Sequence, residues 1–350
     1  MVSPQIKSGK EDVTLKDIAE VVGKSVAAVS RALNDYDDIS EETRTHIKQV
    51  ARDMGYAPNP MAQRLRKRTT DTLGLILPVF SPKNFDPYFT ELLAGITNEA
   101  TKHGFDLLVS TCPPGQAENQ AYHRLINGRR VDGIIVTRLR WQDPRIEILL
   151  DKQFPFVVVG DSNLPDTIPA VTDDTSESAR LTVEHLVEQG HERIALVNAP
   201  SELVFSSNYF SGFQQTIVKA GLLVKENFLE VSEFSQKDGY RAAQTLLSRT
   251  ETPSAIIAAD DIIALGVMAA AQDQGFQIGN DLAVTGYGDI LLSEYSQPPL
   301  TTIHRPTYAL GQRACQMLID RQHSPTANQT RVVIQSSLVI RQSSDLALWL

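Results

Sequence analysis

Val13-Thr14-Leu15-Lys16-Asp17-Ile18-Ala19-Glu20-Val21-Val22-Gly23-Lys24-Ser25-Val26-Ala27-Ala28-Val29-Ser30-Arg31-Ala32-Leu33-Asn34 carries two short helical patterns on either side of a glycine turn. Leu15, Ile18, Ala19 and Val22 share one face of the first helix; Val26, Val29, Ser30 and Leu33 share one face of the second. Ala19 is small enough for the second helix to cross closely, and Gly23 tolerates a left-handed turn. Ser25 can cap the second helix through its hydroxyl. This is the spacing of a helix-turn-helix. A third helix follows: Ser40 caps it, Glu41 and Glu42 suit its dipole, Ile47, Val50, Ala51 and Met54 form its apolar face, and Gly55 ends it. Beyond the Tyr56–Pro60 connector, Pro60–Arg66 can form two helical turns, too short to be stable without a partner.

Charge distribution supports a nucleic-acid contact at this end. Residues 1–70 carry 12 Lys and Arg against 10 Asp and Glu, whereas the remainder carries 21 against 32. Between Arg44 and Arg68, seven basic residues face one acidic residue, Asp53. A basic run alone is ordinarily a solvated helix face; beside a helix-turn-helix it becomes a local positive field for phosphates, while the acidic body discourages non-specific binding. The 350 residues are 42% hydrophobic and 21% charged, a globular composition that suggests two or three domains. No apolar run approaches the roughly 20 residues of a membrane span, and Met1–Asp12 lacks the apolar core of a secretory signal. Cys112 and Cys315 are too few and too distant for a disulfide framework or metal cluster, so a cytoplasmic location without metal or cofactor is expected.

From Leu73 onward short apolar runs recur: 73–79, 105–110, 131–137, 154–159, 193–198, 228–231, 255–259 and 282–285. Most are separated by amphipathic stretches of helix length, at 88–103, 176–189, 213–220, 239–249 and 262–274. The alternation predicts α/β structure with parallel sheets, and the number of units predicts two similar halves. Arg331–Ile340 reads as a strand finishing the sheets.

These residues resemble the LacI/GalR family of bacterial transcription regulators over nearly the whole chain. The headpiece match is dense: Val13-Thr14-Leu15, Asp17-Ile18-Ala19, Val29-Ser30-Arg31, Asn34, Ser40, Thr43-Arg44, Gly55-Tyr56, Pro58-Asn59 and Ala62-Gln63-Arg64-Leu65. Looser matches follow at His185-Leu186, Gly190-His191, Gly212-Phe213, Ala264-Leu265-Gly266, Gly286-Tyr287 and Pro299–Ile303. The resemblance implies a helix-turn-helix headpiece (1–57), a hinge helix and linker (58–70) and an effector-binding and dimerisation body (71–350) built like a periplasmic sugar-binding protein. It divides that body into an N-subdomain of about 71–170 plus 303–330 and a C-subdomain of about 171–302 plus 331–350. It also implies a homodimer that reads a pseudopalindromic operator in double-stranded DNA under control of a sugar-like effector, as a repressor. The short tail after Arg341 lacks heptads, which argues against a coiled-coil tetramer.

By the same resemblance, Val26, Ala27 and Arg31 face the major groove, and Arg31 has the sharpest rationale, because guanidinium pairs bidentately with guanine. Thr14, Ser25, Ser30, Asn34, Ser40 and Thr43 are the expected phosphate holders. Leu15, Tyr56, Asn59 and Ala62 complete the expected DNA-facing set, and Leu65 is the lever that wedges into the minor groove. Three departures stand out. Val26 and Ala27 offer no hydrogen bonds, Ala28 replaces a frequent Thr, and Lys24 adds a cation in the turn. Arg31 and the hinge should therefore carry more of the discrimination.

The resemblance also implies effector contacts at Phe80, Tyr88, Asp161, Tyr209, Phe234, Asp260 and Asp289, and carboxylates and aromatic faces suit sugar hydroxyls and rings. Tyr209 stands where relatives carry a sugar-binding arginine, which disfavours phosphorylated or acidic sugars. The stretches 85–96 and 154–157 are similar to the branch that answers to α-glucosides.

Other readings fail on particular residues. Gly23-Lys24-Ser25 imitates the end of a phosphate-binding loop, but Ile18 stands where its first glycine is needed and no strand precedes it. The histidines lack metal-ligand spacing, and no Gly-x-Ser-x-Gly elbow or nucleophile–base set emerges, so no catalytic or metal residue is assigned. A transport component would show a signal peptide and no headpiece, the reverse of what is present.

Overall fold

The computed structural model describes residues 13–57, 69–78, 86–161, 163–323 and 330–345. The chain divides into two compact units, Met1–Arg68 and Thr69–Leu350.

The first unit holds α1 (Leu15–Val22), α2 (Val26–Leu33) and α3 (Glu41–Asp53). Each begins at a side-chain cap. Thr14 and Asp17 form a reciprocal capping box at α1. Ser25 Oγ accepts the Ala28 N–H at 3.1 Å, and Ser40 Oγ accepts that of Thr43 at 3.4 Å. Such caps are worth about 1 kcal/mol each. Gly23 ends α1 at φ 64°, a conformation that favours glycine. The core is Ile18, Ala19, Val29, Ala32, Ile47 and Ala51. Val26 is a correction to the expected apolar face: it is 45% exposed, and Ala32 takes its place inside.

The second unit repeats one design twice. In the first sheet lie β1 (Thr72–Pro78), β2 (Asp106–Cys112), β3 (Gly133–Thr137), β4 (Phe156–Val159), β5 (Ala170–Thr172) and β11 (Arg331–Val333), in the order β11-β5-β4-β3-β1-β2 and all parallel. The second holds β6 (Ile194–Asn198), β7 (Leu229–Val231), β8 (Ala255–Ala258), β9 (Ala283–Gly288), β10 (Thr301–His304) and β12 (Ser337–Val339), ordered β12-β10-β9-β8-β6-β7. Only the return strand β12 runs antiparallel to its neighbour. Central strands buried along their whole length need helices on both faces.

On the first sheet pack α4 (Pro87–Lys102), α5 (Gln116–Asn127), α6 (Pro144–Asp151) and α12 (Thr307–His323). On the second pack α7 (Thr175–Glu188), α8 (Val204–Lys219), α9 (Gln236–Leu247) and α10 (Asp261–Asp273), with the short α11 (Leu291–Tyr295) after β9. Helix α8 starts nine residues before the apolar stretch at Phe213, and α5, α6 and α12 lie outside the five helix-length stretches marked in the sequence. Glycine sets two helix contacts: a Cβ at Gly95 of α4 would lie 2.1 Å from the Tyr308 carbonyl oxygen, and one at Gly266 of α10 would lie 2.1 Å from that of Gln236.

The chain passes between the halves after β5, β10 and β11. Residues 331–333 therefore belong to the first sheet and 303–304 to the second, each opposite to the subdomain expected from sequence. The supposed strand 331–340 is two short strands in different sheets, broken where the chain crosses.

Candidate functional site

In the headpiece, Thr14, Lys24, Ser25, Val26, Ala27, Arg31 and Ser40 are exposed. Ala27 and Arg31 are one turn apart on α2 and share a face. Arg31 Nη1 donates to Asp38 Oδ2 at 2.6 Å. Ser30, Asn34 and Thr43 are half-buried, and Asn34 Nδ2 donates to the Ser30 carbonyl at 2.5 Å. Leu15 and Tyr56 pack against the headpiece core. Asn59, Ala62 and Leu65, with the expected hinge helix, lie outside the described residues.

A cleft of about 810 Å³ opens between the halves of the body. Its polar groups stand at the carboxyl ends of strands, where doubly wound sheets bind ligands. Arg138 follows β3, Asp161 follows β4, Asp260 follows β8, Tyr287 lies on β9 and Arg305 follows β10. Tyr88, Phe205 and Phe234 add aromatic walls, with Asp86 and Glu91 at the first half.

Both cleft arginines are already neutralised. Arg138 is ion-paired to Asp86, and its guanidinium lies 4.0 Å from the Phe234 ring centroid and 4.8 Å from that of Phe89. Arg305 grips Asp173 with two bonds, Nε to Oδ2 at 2.8 Å and Nη2 to Oδ1 at 3.1 Å, and lies 4.6 Å from the Tyr88 ring centroid. The Tyr287 hydroxyl also donates to Asp173, and burial holds this phenol protonated well above its ordinary range.

Asp161 and Asp260 have no cation partner among the described residues. Asp161 Oδ1 accepts the Thr172 hydroxyl at 2.6 Å, while the buried Oδ2 has no hydrogen-bond partner among the described residues. Asp260 caps α10, accepting the Ile262 N–H at 2.8 Å. Burial first, then the Asp86 and Asp261 carboxylates, push its pKa up to about 8. Its neighbour Asp261 is a structural group, accepting from Thr302 Oγ1 (2.5 Å), Ser293 Oγ (2.8 Å) and the Ile290 N–H (2.9 Å).

Of the effector contacts expected from sequence, Tyr88, Asp161, Phe234 and Asp260 line the cleft. Tyr209 does not: it is fully buried behind the wall, its ring 5.7 Å from that of Tyr287 and 6.0 Å from that of Phe205. Asp289 is turned away, held by Arg341 Nη2 at 2.7 Å and His304 Nδ1 at 3.0 Å. Phe80 lies outside the described residues. Sequence reasoning missed Arg138, Arg305, Asp86, Glu91, Phe205 and Tyr287. A charged residue directly after a buried strand was the available signal for the two arginines.

One rim of the cleft is strapped. Residues 139–141 of the first half meet 202–204 of the second through an Arg140–Leu203 bridge, with Trp141 N–H to Glu202 O and Val204 N–H to Leu139 O both at 3.0 Å. Trp141 Nε1 also donates to Ser207 Oγ at 3.0 Å. The strap is anchored by Arg145, which is 1% exposed and donates to Glu118 (3.1 Å), Asp143 (2.5 and 2.8 Å) and the carbonyls of Thr137 (3.1 Å) and Arg138 (2.9 Å).

A helix-turn-helix on the same chain as a two-lobed α/β body with a ligand-sized cleft defines a DNA-binding regulator controlled by a small molecule. Residues 14–59 match the family of bacterial regulatory proteins of the lacI type, and residues 70–342 match the periplasmic binding protein and LacI sugar-binding domain family. The repressor CytR of Escherichia coli K12 is 30% identical over 343 residues, covering 97% of this chain and 99% of the relative. The regulator AglR of Rhizobium meliloti is 32% identical over 339 residues, covering 96% and 95%. Among solved structures, the lac repressor dimer bound to operator and an anti-inducer superimposes with TM-score 0.82 at 28% identity, covering 96% of this chain and 100% of that one. A complex of the regulator CelR with cellobiose gives 0.75 at 27% identity, covering 95% and 100%. The chain belongs to the LacI family: it is an effector-controlled, DNA-binding transcriptional regulator, and these relatives are regulators rather than enzymes.

Proposed function

We propose that the protein is a cytoplasmic repressor whose homodimer reads a pseudopalindromic operator and whose effector is a neutral sugar, a glucoside in particular. The observation that carries the effector class is the charge arrangement of the cleft. Both arginines are neutralised by their own carboxylates, Asp86 and Asp173, while Asp161 and Asp260 remain as acceptors beside aromatic faces. An anionic ligand would meet the uncompensated charge of Asp161 there and, above about pH 8, that of Asp260. A polyhydroxyl ligand would supply the donors the carboxylates need and an apolar face for the rings. The likeness to the CelR–cellobiose complex supports the same class.

Val26, Ala27 and Arg31 are assigned to the major groove, with Thr14, Lys24, Ser25, Ser30, Asn34, Ser40 and Thr43 at the flanking phosphates and Leu65 at the operator centre. Effector binding shifts the halves of the body about their three crossings and biases the hinges, so operator and effector change each other's affinity by one common factor.

The test is to capture genomic fragments on the purified protein, sequence them, and repeat the capture with neutral disaccharides or sugar phosphates. Enrichment of one pseudopalindrome, altered by a neutral sugar, is expected. A response to sugar phosphates alone would sink the effector assignment, and no enrichment under any condition would sink the operator assignment.

A further inference from the structure

The ion pair between Arg31 and Asp38 joins α2 to the loop that follows it, Nη1 to Oδ2 at 2.6 Å. Its side chains are 54% and 50% exposed, so it adds little to stability. Its geometric effect is larger. The loop carrying Asp38 is pinned from both sides: Arg44 Nη2 donates to the carbonyls of Tyr36 (2.9 Å) and Ile39 (3.2 Å), Lys48 pairs with Asp35 at 2.5 Å, and the Tyr36 N–H donates to the Arg31 carbonyl at 3.2 Å. The carboxylate is thus presented from a fixed platform. Arginine otherwise loses much rotamer freedom when it docks. Held by Nη1 alone, the guanidinium keeps Nε and Nη2, which have no partner among the described residues.

We propose that Asp38 is a positioning residue for base reading, gripping Nη1 of Arg31 so that its remaining donors are set toward a guanine. The proposal rests on the reading of Arg31 as the base-contacting side chain. A pre-set guanidinium spends less of its interaction on ordering. The same carboxylate repels phosphates, so it weakens binding to arbitrary DNA while sharpening the choice of site. Val26 and Ala27 can make only apolar contacts, which leaves Arg31 as the hydrogen-bonding member of the groove-facing set and makes its orientation matter more.

The experiment is selection from a randomised duplex pool by the full-length protein, with sequencing, for the parent, Arg31→Ala, Asp38→Ala, Asp38→Asn and Asp37→Ala. Arg31→Ala is expected to erase preference at one base pair per half-site. A bidentate contact discriminates by about 5-fold or more, and Asp38→Ala should lose most of that at the same base pair while binding unrelated duplex more tightly. Asp38→Asn, whose amide oxygen still accepts from Nη1, should keep most of the preference. Asp37→Ala removes an adjacent exposed charge that is not bonded to Arg31, and should raise general affinity without touching preference. Should Asp38→Ala fail to fold, Asp38→Ser, too short to reach Nη1, reads the same quantity.

Full parental preference in Asp38→Ala, with Arg31→Ala still relaxed, overturns the proposal and leaves the reading of Arg31 standing. An unchanged preference in Arg31→Ala removes both. A loss spread evenly over every operator position in Asp38→Ala and Asp38→Asn marks a general structural role and also overturns it.

Discussion

The headpiece and the cleft solve opposite problems. The described headpiece groups assigned to DNA come from residues 14–56, on short helices held by caps and contacts a few residues away. The cleft draws Arg138, Asp161, Asp260 and Arg305 from four separate strand ends and Asp86 from a helix cap, and its key pair joins residues 132 positions apart. Local construction gives groups that are exposed and individually replaceable. Long-range construction gives groups that are buried and mutually dependent, so that removing one strands another.

The sharpest break of that contrast is Arg145→Met. It leaves the buried Glu118 and Asp143 with Arg140 as their remaining cation; breaking a buried pair outright costs about 3–5 kcal/mol, which is the upper bound here. Calorimetry should show the body transition falling markedly while the headpiece transition holds its temperature. A headpiece that melts with the body would remove the independence claimed for it.

The contrast is sharpened by pH. Asp260 is held protonated up to about pH 8 in the free cleft. A ligand hydroxyl that donates to it favours the ionised form, so binding releases a proton and affinity should rise as pH climbs through that value. Each unit of pKa lowering in the complex is worth tenfold in affinity. We expect about tenfold tighter effector binding at pH 9 than at pH 7 by titration calorimetry, with a flat profile in Asp260→Asn. An equal slope in that variant would move the titrating group elsewhere. For stability alone the sign is reversed: a carboxyl raised from its ordinary 3.8 to about 8 destabilises the fold as pH rises between those values.

The smallest effect lies in the headpiece. Ser25→Ala removes the α2 cap and should cost about 1 kcal/mol, read as a lower headpiece melting temperature with the body transition unmoved. Loss of effector binding in this variant would contradict the local character of the unit.

What could be read in the sequence follows the same division. Ser25, Ser40 and Gly23 sit at local signals whose chemistry acts within four residues, and eight of the strands stand out as apolar runs, the central ones because both their faces are covered. β10 was hidden because Thr301 and Thr302 are polar yet fully buried, their hydroxyls donating to the Arg341 carbonyl and the Asp261 carboxylate rather than to water. β5, three residues long, was too short to register. In the cleft, the acidic and aromatic types were legible, but which of them face inward was not. Tyr209 and Asp289 were placed by position along the chain, and their side chains were claimed by Tyr287 and Arg341 respectively. Arg138 and Arg305 each follow a buried strand, but their partners Asp86 and Asp173 lie 52 and 132 residues away, and no local pattern encodes that pairing.

The three crossings have a consequence for inheritance and for engineering. Because the chain leaves and re-enters each half after β5, β10 and β11, neither half is a continuous stretch of gene. A single recombination breakpoint between β6 and β11 joins strands of one parent's sheet to those of another in both halves at once, and one elsewhere between β1 and β12 does so in one half. A breakpoint between Ala57 and Thr70 falls outside every described strand. Exchange among such genes therefore keeps the body whole and passes headpieces as interchangeable cassettes, so that a new ligand must be acquired by changing residues in place, whereas a new operator can arrive in one event.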